Sequence, residues 1–278
     1  MTVHCTSKRS VTDERGQAMA KMIAVTNQKG GVGKTTTAIN LATYIAMEGY
    51  KVLLVDCDPQ GNATSGLGIN RKRLKFCLHD LLIDDLEFHK VVTRTRVDNL
   101  DLIPSTIQLA GAEVELVART QREQTLATVL APVRDYYDYI LLDCAPSLGL
   151  LTINALTACD SVIIPLQCEY YALEGLSQLV DTIQLVRKRL NPKLTIEGIV
   201  FTMFDGRTNL SIQVVDQVKS HFRKEVYQTI IPRNVRLSEA PSHGKPIAHY
   251  DARSKGAEVY RDFAREVLKR GQERSRVR

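Results

Sequence analysis

Residues 22–49 read MIAVTNQKGGVGKTTTAINLATYIAMEG, and this stretch decides the fold. Met22–Thr26 is a short apolar run and reads as a strand. Glycines and a lysine follow. Ala38, Leu41, Ala42, Ile45 and Ala46 then recur at helical spacing up to Gly49, where a helix stops. The next run, Lys51–Asp56 (KVLLVD), is nearly all apolar and ends in an acid, as a parallel strand buried on both faces should. Strand, glycine loop, helix and strand make a βαβ unit.

The loop has the chemistry of a phosphate cradle. Gly30, Gly31 and Gly33, with Val32 between them, let the backbone turn its N–H groups inward around an anion. The helix starting near Thr35 adds its positive N-terminal end. Lys34 is placed to reach the β- and γ-phosphates and Thr35 to ligate Mg²⁺, with Thr36 beside it. ATP and Mg²⁺ are therefore the expected ligands. The ordinary spacing G-x-x-x-x-G-K-[ST] asks for glycine at position 28, where this chain has Gln28. It carries instead a second lysine, Lys29, which cradling phosphates within one chain does not require.

Two further segments supply acids. Asp56 ends the second strand and Asp58 follows in DCDPQGN (56–62), while YILLD (139–143) is another buried strand, ending in Asp143. Acids at strand ends beside a nucleotide hold a metal or an attacking water.

Outward from these motifs the alternation continues. Strands are expected at Leu100–Pro104, Ser161–Leu166, Ile196–Phe204 and Val226–Ile231, the last closed by Pro232. One or two helices are expected over 105–135, and others at Ala172–Leu190, Asn209–Phe222 and Gly256–Arg270. Seven or so strands alternating with helices predict an α/β fold, a single doubly wound, mainly parallel sheet flanked by helices. Residues 22–270 read as one domain. Residues 1–21 read as a poorly ordered tail, or as a start placed too far upstream, and 271–278 as a basic tail.

Of the 278 residues, 44% are hydrophobic and 24% charged, as in soluble globular proteins. No apolar run nears the ~20 residues needed to span a bilayer, and the first twenty lack the apolar core of a signal peptide. The six cysteines are scattered without metal-ligand spacing, which suits buried thiols in a reducing cytoplasm. The net charge is +6, but residues 201–278 alone carry 16 Lys/Arg against 9 Asp/Glu. That basic last quarter suggests a face that meets a polyanion.

K-G-G-V-G-K-T-T (29–36) resembles the deviant Walker motif of the ParA/MinD class of P-loop ATPases. The stretches DPQGNATSGLG (58–68), PSTIQLAGAEVELV (104–117), PSLGLLTINALTACDSVIIPLQCEYYALEGLSQL (146–179) and IPRNVRLSEAPSHGKPI (231–247) are similar to the ParA/Soj partition ATPases. The resemblance implies that Lys29 reaches across a dimer interface to the partner's nucleotide, hence an ATP-dependent homodimer. It implies that Asp58 positions or activates the attacking water, that Asp56 sits near the metal's water shell, and that Asp143 contacts Mg²⁺ through water. It places Met203, Phe204 and the Ile231–Pro232 turn near the adenine. It makes Arg207 and Arg236 the candidates for contacts with non-specific double-stranded DNA, both within the basic last quarter.

The function so implied is chromosome or plasmid partition in the cytoplasm, on the nucleoid. The ATP-bound dimer holds DNA, and a ParB-type partner stimulates slow hydrolysis and release. No built-in arginine finger is evident. Three alternatives share the class. Membrane positioning of the MinD type needs a C-terminal amphipathic helix, and VLKRGQERSRVR (267–278) has a glycine break and no apolar stripe after Leu268. A reductase of the nitrogenase iron-protein type needs cluster cysteines, and Cys144 stands alone beside the second acid. A metabolic ligase or synthetase needs its own substrate constellation, which the sequence does not display.

Overall fold

The computed structural model describes residues 20–277. The first unit is β1 (Lys21–Val25), α1 (Lys34–Met47) and β2 (Val52–Cys57). Short α2 (Asn62–Gly66), α3 (Leu78–Leu82) and α4 (Phe88–Val91) lead to β3 (Thr93–Arg94) and β4 (Leu100–Ile103). Next come α5 (Leu109–Glu115), α6 (Thr125–Leu130), β5 (Tyr139–Cys144), α7 (Leu150–Ala158) and β6 (Ser161–Gln167). Then follow α8 (Ala172–Arg189), β7 (Thr195–Phe204), α9 (Asn209–His221) and β8 (Val226–Pro232). Short α10 (Val235–Glu239) and α11 (Ile247–Tyr250) precede the long α12 (Lys255–Val277).

The eight strands form one sheet in the order β3-β4-β2-β5-β1-β6-β7-β8. Every pairing is parallel except β3 with β4. The eighth strand is β3, whose two residues are too few to show a period in sequence. Side chains alternate between two cores. Met22 and Ala24 of β1 join the face covered by α3 and α5–α9, and Ile23 and Val25 join the face covered by α1 and α12.

The parallel strands all end on one edge, and the loops there build the site. From β1 the chain leaves through α1 to β2 on one side; from the adjacent β6 it leaves through α8 to β7 on the other. That reversal opens a crevice over the strand ends, where α/β sheets hold ligands.

Three expectations change. The 105–135 region is broken more finely than one or two helices, with 3₁₀ turns at Leu116–Ala118, Arg122–Gln124 and Ala131–Tyr136. Gln121 interrupts it in the left-handed region, φ 55°. The last helix does not stop at Arg270; it runs through Gly271 to Val277. Gly271 sits inside the helix without a left-handed φ, so it does not end it. Lys21, read as the end of a tail, opens β1; residues 1–19 of that tail lie outside the described residues.

Candidate nucleotide site

The loop between β1 and α1 is anchored before it turns. Buried Asn27 donates its side-chain amide to the Pro165 carbonyl of β6 (2.8 Å) and accepts from the Lys29 N–H (3.1 Å). Gly31 (φ 76°) and Gly33 (φ 87°) occupy the left-handed region that a Cβ disfavours. Thr202, near the end of β7, donates its hydroxyl to the Val32 carbonyl at 2.8 Å. Strands β6 and β7 therefore clamp the loop from one side.

The two lysines behave differently. Lys34 is 6% exposed and curls back to donate to the Lys29 carbonyl at 2.8 Å. Burial lowers its pKa, while Asp143, Cys144 and Asp58 oppose the shift. Lys29 stands at the lip, half-exposed, and pairs with Glu169 in the loop after β6.

Asp56 and Asp143 are register neighbours on β2 and β5. Asp56 is tied into its own chain. One oxygen accepts from the Thr64 N–H (2.8 Å) and hydroxyl (2.6 Å), and the other from the Asp58 N–H (3.3 Å). Burial pushes its pKa up to about 6 against those hydrogen bonds. Thr64 also accepts from the Ser105 N–H, so this acid organises the β2–α2 loop. Asp58, two residues on, accepts from the Gln60 N–H at 2.9 Å through one oxygen.

Asp143 is fully buried, and the Thr35 hydroxyl beside it is the group within the described residues that comes nearest to partnering its carboxylate. Burial and then the Asp56 charge push its pKa well up; the nearby Thr35 hydroxyl and Lys34 ammonium pull it down. A buried carboxylate without partners costs free energy unless something else meets it. Hard oxygen donors beside a phosphate loop are what Mg²⁺ takes. The residues therefore fit the ion, with Thr35 and Asp143 offering the open oxygens and Asp56 bracing the floor.

Met203 sits at φ 49°, an outlier for a bulky side chain. It follows Thr202, and Phe204 beside it pairs in register with Pro232. The proposed adenine contacts thus share one corner of the crevice, next to the loop. Arg207 and Arg236 lie farther along the same edge, after β7 and β8. Arg207 makes a two-bond pair with Asp205 (2.6 and 2.8 Å) and holds that carboxyl well below its usual range. Arg236 pairs with Glu239 (2.9 Å) and Asp251 (3.5 Å).

Four residues escaped sequence reasoning: Asn27, Thr64, Glu169 and Thr202. Each acts by holding another group, and each sits in a strand, a loop or, for Thr64, the short helix α2, whose pattern is explained without it. Only the polar character of Asn27 and Thr202 at buried positions could have marked them.

Residues 20–196 match the family described as AAA domain. The chain is 63% identical over 253 residues to the sporulation initiation inhibitor protein Soj of Bacillus subtilis, covering 91% of this chain and all of that one. It is 52% identical to the chromosome partitioning protein ParA of Myxococcus xanthus, over 96% of each chain. Among solved structures it resembles cobyrinic acid a,c-diamide synthase of Mycobacterium smegmatis with bound ADP and magnesium. The TM-score there is 0.80 at 38% identity, over 91% of this chain and 96% of that one.

Proposed function

The chain belongs to the AAA domain family and, within it, to the Soj/ParA group of chromosome-partitioning ATPases, and on that premise we propose that it works as an ATP-gated dimer which holds DNA and releases it on hydrolysis. The observation that carries this reading is the division between the two lysines. Lys34 is turned into the loop, where it meets the β- and γ-phosphates of its own nucleotide. Lys29 is held out at the lip, where it can reach a nucleotide bound to a second copy.

Hydrolysis converts ATP and water to ADP and phosphate. The loop N–H groups and Lys34 fix the phosphate chain and offset the negative charge that spreads in the transition state. Asp58, with one oxygen tied to Gln60, turns the other toward a water and orients it for attack on the γ-phosphorus. Bound Mg²⁺ neutralises phosphate charge, with Thr35 and Asp143 as its holders. Asp56 keeps Asp58 and Thr64 in place from below.

DNA contact falls to Arg207 and Arg236, each exchanging a local carboxylate for a backbone phosphate. Such contacts carry no sequence information and weaken steeply with salt. A ParB-type partner then accelerates hydrolysis and releases the dimer from the nucleoid. The membrane alternative is disfavoured by α12, whose apolar side (Val259, Phe263, Val267, Leu268) is spent in the core. No helix among the described residues is long and apolar enough to cross a membrane.

The test is co-sedimentation with non-specific duplex DNA in ATP, ADP and no nucleotide, at two salt concentrations. Binding in ATP alone, lost at the higher salt, is expected; binding indifferent to nucleotide overturns the gate. Arg207→Ala and Arg236→Ala, each present twice in the dimer, should each lower the salt slope by about 2. Asp58→Ala should still dimerise with ATP and stop hydrolysing it.

A further inference from the structure

The segment 107–117, helix α5 with the turns on either side of it, carries more apolar surface outward than a surface facing water should. Val114 is 75% exposed, Val117 57%, and Ile107, just ahead of the helix, 68%. With exposed Ala110 these form a bare apolar strip in which Ile107 lies in the turn ahead of α5, Ala110 and Val114 lie on the helix, and Val117 lies in the 3₁₀ turn that continues it. The other side of the segment, Leu109, Ala112 and Leu116, is already buried in the core. The segment is therefore apolar on two sides, and one side is bare.

The bare stripe lies at the nucleotide edge. Ser105, just before it, donates its N–H to Thr64, the residue that holds Asp56. Glu113, within it, accepts from the Leu151 N–H at the start of α7, directly after the loop that follows Asp143. So α5 spans the two acid-bearing loops on the edge that also carries Lys29.

We propose that this stripe packs against the same stripe of a second copy when ATP brings two chains together. The inference rests on the dimer reading above, and it sets the two-fold axis of that dimer beside this strip, which is where an element of one copy meets the same element of the other. The spacing is suited to such a pairing because it is the same read in either direction. Antiparallel self-contact sets Ile107 against the partner's Val117 and the small Ala110 against the partner's Val114. Four side chains fall well short of the ~800 Å² per partner that a stable interface buries. The stripe alone therefore does not hold a dimer, and association waits for the contacts that a bound nucleotide and Lys29 add.

The test uses the full chain with Mg²⁺ and a non-hydrolysable ATP analogue, followed by light scattering across a concentration series. A fluorescent-nucleotide titration reports on folding and the monomer's own site. Val114→Asp and Val117→Asp should bind nucleotide within about twofold of the parent and self-associate at least tenfold more weakly, while Val114→Leu should dimerise normally. If both aspartate variants dimerise like the parent while Lys29→Ala does not, the stripe is overturned and the ATP-gated dimer stands. If the parent itself stays monomeric with nucleotide, the dimer reading falls and the stripe with it.

Discussion

At the edge where the strands begin, Lys21 meets Glu197 at 2.7 Å, and Arg134 meets Asp160 at 2.6 Å. Asp160 also accepts the Met22 N–H, and Asp138 the Lys51 N–H. At the edge where the same strands end, Asp143 is buried with both oxygens bare, Asp56 is pressed against it, and Met203 is strained. One sheet thus has an edge where charge is matched within the chain and another where matching is left incomplete. Folding alone explains the first. The second makes sense when its missing partners are phosphates and a cation, because a preorganised site must hold its donors and acceptors before the ligand arrives.

The largest effect should come from removing Lys34, the one buried cation of the ligand edge among the described residues. Lys34→Ala takes away the ammonium beside Asp143 that the proposed function sets against the phosphates, and hydrolysis should fall at least ~100-fold. A fluorescent ATP analogue should lose most of its affinity in parallel. A variant that keeps tight binding and turnover would remove the contrast between the edges, since Lys34 would then be only a cap on its own loop.

Much of this edge was legible from residues alone, because glycines, lysine and strand-end acids are local signals. The βαβ unit at 22–56 and the strand ending in Asp143 follow from apolar runs and punctuation. What could not be read was tertiary. Nothing local says that Asp56 spends its oxygens on Thr64 while Asp143 spends none; that depends on where α2 lands. Gly271 reads as a stop, yet α12 runs through it to Val277. The matched edge was invisible for the same reason, since Lys21 and Glu197 are brought together only by the sheet.

Neutralising one acid at each edge should move stability in opposite directions. Glu197 is 1% exposed, so Glu197→Gln leaves Lys21 facing a neutral amide and should destabilise the chain by about 3 kcal/mol. Turnover per folded molecule should hold. Asp143→Asn removes a repelled, unpartnered charge and should stabilise the ligand-free chain by about 1–2 kcal/mol while abolishing Mg²⁺-dependent hydrolysis. The pH dependence shares this origin. Asp56, raised to about 6, and Asp143, also raised by its burial, bind more protons folded than unfolded. Their contribution to stability therefore falls as pH rises from about 4 through those values and stays low above them. Denaturant melts between pH 5 and 8 should show that fall in the parent and a shallower one in Asp143→Asn. Equal slopes would mean that the bare carboxylate carries no strain.

The smallest effect belongs to the contact at the lip. Lys29 and Glu169 form a pair that is half-exposed on both sides, and such pairs are worth only ~0.2–1 kcal/mol. Within one chain the pair competes with the reach of Lys29 toward a second copy, because the ammonium cannot stay on Glu169 and also serve a nucleotide across the interface. Glu169→Gln weakens the hold without shortening the side chain. If holding Lys29 back is the residue's whole contribution, ATP-dependent dimerisation should tighten by roughly two- to thirtyfold, since a dimer gives up two such pairs, while the stability of each chain falls by no more than ~1 kcal/mol. If Glu169 also takes part in the interface, the same variant should dimerise more weakly despite the freed lysine. Analytical ultracentrifugation of the full chain in a non-hydrolysable ATP analogue separates the two by sign. The tighter result places the last unmatched charge of the ligand edge in Lys29, and the weaker one places it in the pair.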